Sequence, residues 1–246
     1  MINSIFFENT AKQHGGAVYA GSYAVITVRN KSQITGNTAN YGGGIYQHYD
    51  ETDKTNPSII AVADSTISNN TANYGGALYA HSVTGLGVLT ITNSVFSGNT
   101  SNNDGGAIYT RRAGSTITNS QIGRPEGSSE GGNNAAKLGG GLYITKEGSC
   151  TVTASYIAGN SAGTNGGAIY ATGSVTLDKT TVTANPAQLS GAGVYGGGVS
   201  DGNSTITIQG GSTVSNNIAS VNGGGVFVNA YSALNITDAS IASPKI

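Results

Sequence analysis

The chain has 246 residues, of which only 9% are charged, and its formal net charge is −1. That balance leaves no basic footprint for nucleic acid or an anionic membrane. No apolar run is long enough to cross a bilayer as a helix, and the single cysteine, Cys150, excludes an internal disulfide.

Read from the start, three short phrases follow one another. Ser4 to Asn9 is a Ser-x-(aliphatic or Phe)-x-x-Asn phrase with one extra residue. Gly15-Gly16-Ala17-Val18-Tyr19 is Gly-Gly-(Ala or Gly)-aliphatic-aromatic. Val25 to Val28 is a β-branched run. The set then returns. The serine phrase recurs at Ser32–Asn37, Ser65–Asn70, Ser94–Asn99, Ser155–Asn160 and Ser212–Asn217, with Thr180–Asn185 as a variant; Ser120-Gln121-Ile122 begins a copy and departs from it. The glycine phrase recurs at Gly42, Gly75, Gly105, Gly139, Gly166, Gly196 and Gly223, with starts 27, 33, 30, 34, 27, 30 and 27 residues apart. The β-branched runs recur at Ile59–Val62, Val88–Thr92, Thr116–Thr118, Thr151–Thr153, Val175–Leu177, Thr205–Ile208 and Leu234–Thr237.

A period near 30 built from short alternating runs and glycine turns is a solenoid signature. Alternation with period two reads as strand, and no window holds a helical period. The fold expected is all-β: a parallel β-helix of about eight rungs, three strands to the rung, rungs about 4.8 Å apart. Three inward columns follow. One runs Val18, Ile45, Leu78, Ile108, Leu142, Ile169, Val199, Val226. The second runs Ile34, Ile67, Phe96, Ile122, Ile157, Val182, Val214, Ile241. The third runs Val28, Val62, Ile91, Ile117, Val152, Leu177, Ile208, Ile236. The recurrent Asn is expected to take a left-handed turn and to hydrogen-bond its amide from rung to rung. The glycine pairs match neither a P-loop nor a dinucleotide fingerprint.

The paired phrases, intact at Ala17-Val18, Ala77-Leu78, Ala107-Ile108 and Ala168-Ile169 and at Phe6–Asn9 and Phe96–Asn99, resemble those of polymorphic outer membrane protein passenger domains, of the autotransporter class. They also resemble adhesin-like parallel β-helices. The resemblance implies a right-handed helix, displayed extracellularly or at the cell surface, often adhesive. Residues 1–246 are expected to form one domain and a segment of a longer surface protein, without a signal peptide at Met1-Ile2-Asn3.

Catalysis on such a scaffold needs clustered carboxylates, or calcium with a basic residue. The chain has 12 acids and 11 Lys plus Arg, spread thinly, so no enzyme, no catalytic residue, no cofactor and no metal is expected. The acids Asp50, Glu51 and Asp53 lie in an extended turn after a glycine strand and read as a solvated insertion. Arg111, Arg112, Lys146 and Glu147 occupy the same turn in later rungs, as does His81, which makes that turn a recognition edge. If Val18 and its equivalents face inward, the aromatics Tyr19, Tyr46, Tyr79, Tyr109, Tyr143, Tyr170 and Phe227 face outward as a ladder. That ladder is either structural or a platform for sugar rings or another solenoid; in the copy at Gly196, Ser200 takes its place. Enlarged turns at Gly123–Lys137 and Pro186–Tyr195 read as loops free to drift or to vary with a partner. Thr90/Thr92, Thr116/Thr118 and Thr151/Thr153 are ordinary strand threonines or, less simply, an ice-binding array, interrupted by Arg29, Asp178 and Gln209. Cys150 reads as a small buried apolar residue. The function expected is a non-catalytic adhesin-like solenoid for glycans or surface proteins. The alternatives are an element that self-associates end to end and a degenerate carbohydrate-active β-helix.

Overall fold

The computed structural model describes residues 1–246 except 50–57, 83–87, 129–130, 136, 199–202 and 243–246. Among the described residues every strand pairing is parallel, and each strand pairs with its counterpart one repeat away. Those residues contain no helix. The chain is therefore a parallel β-helix of about eight turns, as the sequence pattern requires.

The three expected strand stations are all present. The glycine phrase ends in an eight-stranded sheet, Val18–Ala20 through Val226–Val228. The β-branched runs form one leg, from Val25–Val28 to Ser174–Asp178, and the serine phrases form a second, from Ile5–Phe7 to Thr181–Thr183. These two legs are one bent sheet. They run on as single long strands at Ser204–Ser215 and Ser232–Ala242, which keep the left-handed corner at Gly210 and Asp238 and pair with a register shift there. A fourth station was not expected. Six short strands, including Thr71–Tyr74, Thr100–Asp104 and Ser161–Ala162, form a narrow ladder just after the asparagines. These segments are two to five residues long and rich in Ala, Asn and Ser, too short and too poor in strand formers to announce themselves; stacking on neighbouring rungs imposes the pairing.

Two of the aliphatic columns stand in register as read: Phe6, Ile34, Ile67, Phe96 onward, and Val28, Val62, Ile91, Ile117 onward. Their members from the second rung to the seventh are essentially without solvent contact. A further inward column on the β-branched leg runs Ile26, Ile60, Leu89, Ser115, Cys150, Val175 and Ile206. Cys150 is 3% exposed there, and burial pushes its thiol up to about 12. It is the inert apolar filler expected of it.

The column of the glycine strands needs one correction. Val194, not Val199, pairs with Ile169 and Val226, and Tyr195 pairs with Tyr170 and Phe227. The seventh copy of the phrase is thus Gly191-Ala192-Gly193-Val194-Tyr195. Gly191, at φ 62°, makes the left-handed turn that the first glycine makes in every other rung. Val199 and Ser200 lie outside the described residues. The second glycine serves a different need: a Cβ on Gly43 would stand 2.3 Å from the carbonyl oxygen of Gly76 one rung on.

The asparagines form an unbroken chain. Asn9, Asn37, Asn70, Asn99, Asn133, Asn160 and Asn185 each donate from Nδ2 to the Oδ1 of the next, at 2.8–3.0 Å, and Asn217 ends the series as an acceptor. From Asn37 onward each also donates to a main-chain carbonyl one rung back, such as Ile34 for Asn70 and Ile67 for Asn99. Asn133 supplies the member that the departing Ser120 phrase lacked: the enlarged turn leaves after Gly123 and returns in time to refill the ladder. The left-handed residue is not the asparagine but the one before it, for example Gly36, Asn69, Gly98 or Ala184. The asparagine is thus present for its amide. At the other corner a hydroxyl does similar work. Ser94, Ser120, Ser155 and Ser212 each accept a backbone N–H from the preceding rung and donate to a carbonyl two or three residues back.

Candidate functional site

Inside the glycine strands Ile108 and Thr110 are buried, while Tyr109 between them faces outward. Repetition of this alternation builds one continuous column: Tyr19, Tyr46, Tyr79, Tyr109, Tyr143, Tyr170, Tyr195 and Phe227. Neighbouring ring centres are 4.7–5.7 Å apart and neighbouring planes 5–25° from parallel. Centre spacing follows the rung spacing, so the rings stack as the strands do. Ring faces inside the column are covered by their neighbours, and the outer rim offers ring edges and phenol hydroxyls.

A second ring column flanks the first and was not anticipated. His14, Tyr41 and Tyr74, each just before its glycine pair, stack at 5.3 and 5.4 Å. Tyr41 meets Tyr79 edge-on at 5.6 Å, and Tyr74 meets Tyr109 edge-on at 5.8 Å. This second layer helps cover the first: Tyr46 and Tyr79 are each only 6% exposed, against 53% for Tyr19. The available sequence signal was the residue immediately ahead of the glycines, which is aromatic in these three rungs. In the next rung Asp104 takes that place, paired with Tyr74. Its Oδ1 accepts the Leu138 N–H at 3.3 Å, and burial raises its carboxyl above the usual carboxylate range.

Burial is also the main reason that the phenols resist ionisation. Tyr46 and Tyr170 are pushed up to about 12, with neighbouring tyrosines adding to the shift, and Tyr109 and Tyr143 are pushed higher still. Tyr79 is raised less, because the Arg111 guanidinium lies close and hydrogen-bonds its hydroxyl. Tyr46, Tyr79, Tyr109, Tyr143 and Tyr170 therefore present neutral hydroxyls at physiological pH. His14 is lowered by burial and by the nearby charge of His48, which favours the neutral imidazole.

The turn after the glycine strands gathers the charges the sequence assigned to it. Arg111 pairs in register with His81. Arg112 Nε lies 3.3 Å from Glu147 Oε2, and its backbone N–H donates to Thr145 Oγ1. Arg111, Arg112, Thr145, Lys146 and Glu147 line a shallow groove of about 230 Å³. Arg111 joins this groove to the tyrosine column through its bond to Tyr79. Asp50, Glu51 and Asp53 lie outside the described residues. Among the described residues no three His, Cys, Asp or Glu side chains come together as a metal-binding group.

Fold and surface together define a parallel β-solenoid with an interlocked interior and one charged, aromatic edge. A family model, that of the Chlamydia polymorphic membrane protein repeat, matches residues 3–21, 64–81, 93–111 and 154–172. The chain is thus a parallel β-solenoid that carries repeats of that kind. Each match begins at a left-handed corner residue, Asn3, Asp64, Asn93 or Ala154, and ends with the tyrosine strand. The repeat is accordingly the serine hydroxyl, the asparagine amide, the glycine turn and the stacked ring in one unit. No curated protein and no solved structure matches the chain.

Proposed function

We propose that the chain is a non-catalytic, adhesin-like solenoid whose turn after the glycine strands, carrying His81, Arg111, Arg112, Lys146 and Glu147, contacts glycans or proteins outside the cell. The observation that carries this reading is the contrast between scaffold and edge. Asparagine, serine and tyrosine side chains are spent on rung-to-rung bonds, whereas the charges of neighbouring rungs collect at one turn. In this reading the tyrosine column stiffens the edge and contributes hydroxyls from its rim, while its covered faces do not receive a sugar ring. The family likeness supports surface display and a non-enzymatic role.

The experiment is binding of the purified chain to cultured epithelial cells and to a glycan array, compared with an Arg111→Ala/Arg112→Ala/Lys146→Ala variant of unchanged melting temperature. Binding that falls at least tenfold in the variant supports the edge. Undiminished binding places recognition elsewhere, and turnover of any arrayed polysaccharide contradicts the non-catalytic reading.

A further inference from the structure

The geometry points to a saccharide-binding groove on the outer face of the second leg, beneath the loop that leaves the solenoid at Gly123, with Tyr156 as its apolar platform. This rests on the recognition reading above but uses a different surface. The groove encloses about 390 Å³ and is built from three consecutive rungs. One row holds the corner residues Asn119, Ala154 and Lys179, all at positive φ. The adjacent row holds Gln121, Tyr156 and Thr181, paired Cα to Cα. Ala154 is short where its row neighbours are long, so a pit opens between the Asn119 and Lys179 side chains. The departing loop adds Glu126 to the lining.

The chemistry of this lining fits one ligand class. Tyr156 is half-buried, and its neighbours in the ladder are Gln121 and Thr181 rather than other rings. Its ring is therefore not consumed by a stack, unlike those of the tyrosine column. Asn119 and Gln121 supply amides that donate and accept, Glu126 accepts and Lys179 donates. Ser120 and Ser155, deeper in the groove, are committed to the corner ladder and are structural. One apolar ring surrounded by several two-way hydrogen-bonding groups suits a pyranose, which has an apolar face and a belt of hydroxyls. A single carboxylate balanced by a single ammonium disfavours a strongly charged ligand. The volume, at the lower end of small-molecule sites, suits one or two sugar units.

Saturation-transfer NMR on the whole chain, with a panel of methyl pyranosides and disaccharides of glucose, galactose and N-acetylglucosamine, tests this. A panel member is expected to give transfer that Tyr156→Thr weakens at least tenfold and Glu126→Gln severalfold, with melting temperatures unchanged. Thr181 already fills the neighbouring place, so Tyr156→Thr is compatible with the strand. Absence of transfer from every member at millimolar concentration overturns the proposal and leaves the Arg111 edge to be judged by its own variant. Transfer that survives Tyr156→Thr overturns it as well, by moving saccharide binding off this groove.

Discussion

Replacing Asn99 with alanine removes four buried hydrogen bonds at once. Asn99 Oδ1 accepts from the backbone N–H and from Nδ2 of Asn70, each at 3.0 Å, and its Nδ2 donates to Ile67 O and Asn133 Oδ1, also at 3.0 Å. The consequences are unequal. Asn70 Nδ2 keeps the Ile34 carbonyl, and Asn133 Oδ1 keeps the Asn99 backbone N–H. The Asn70 backbone N–H is left without its acceptor in a site with no solvent exposure. One orphaned donor costs about 1–3 kcal/mol, and the lost neutral bonds add to it. The total expected is about 3 kcal/mol. Urea unfolding followed by circular dichroism gives this value if the transition stays cooperative. Hydrogen exchange at the Asn70 amide gives the local answer even if the array unfolds in parts. A loss under about 0.5 kcal/mol, with Asn70 still protected, would refute the ladder as a source of stability. Asn99→Asp adds a sign. An ionised carboxylate would set an oxygen against the Ile67 and Asn133 acceptors, so the folded state favours the protonated form and raises the carboxyl above its unfolded value of about 3.9. That variant is most stable below the unfolded value and loses stability as pH climbs through the folded one.

Three further outcomes follow from the same geometry. Tyr109→Ala removes two stacks at 4.7 Å and is expected to cost about 3–5 kcal/mol, whereas Tyr19→Ala, half-exposed with one column neighbour at 5.7 Å, is expected to cost far less; comparing their unfolding midpoints checks this. Tyr46 and Tyr170 have folded values near 12 against an ordinary value of 10, so their contribution is intact below pH 10 and is lost as pH rises from 10 toward 12. Ultraviolet titration at the phenolate band should therefore show a late phase that coincides with unfolding; a single unperturbed phase would contradict the buried column. Ser115 Oγ is buried beside Leu89 and Cys150 without a hydrogen-bond partner, so Ser115→Ala is expected to raise stability by about 1 kcal/mol in the same urea assay.

How much of this was readable depended on what each residue had to do. Ile34, Val62 and their columns were legible because a dry interior admits only aliphatic or aromatic side chains at that pleat. The seventh tyrosine was hidden because Gly191-Ala192-Gly193 keeps the one glycine that the turn needs and drops the second. The nearby Gly196-Gly197-Gly198 offered a closer literal match, although Gly196 closes the tyrosine strand, paired with Ala171 and Val228, rather than opening a turn. Asn133 was hidden by the excursion after Gly123, since spacing in the chain says nothing about where a loop rejoins its rung. The left-handed role was assigned to the wrong residue because asparagine has two talents, and here only the amide is used. Tyr41 and Tyr74 sit outside any alternating run, so no strand periodicity marked them as a second layer. The charged edge was legible as a turn, because Arg111-Arg112 and Lys146-Glu147 follow equivalent strands. Its link to the tyrosines through Arg111 and Tyr79 belongs to the folded chain.

In-register stacking underlies the interior, the tyrosine column and the groove at Tyr156, and electron–electron spin resonance distances test it most directly. In a Cys150→Val background, one label goes at Thr27 and a second at Thr151, Thr176 or Thr207, which share one outward column through Ala61, Thr90 and Thr116. The account predicts mean separations of roughly 19, 24 and 29 Å, a step of about 4.8 Å per rung however many residues intervene. Separations that fail to increase in equal steps, or that follow distance along the chain, would contradict it.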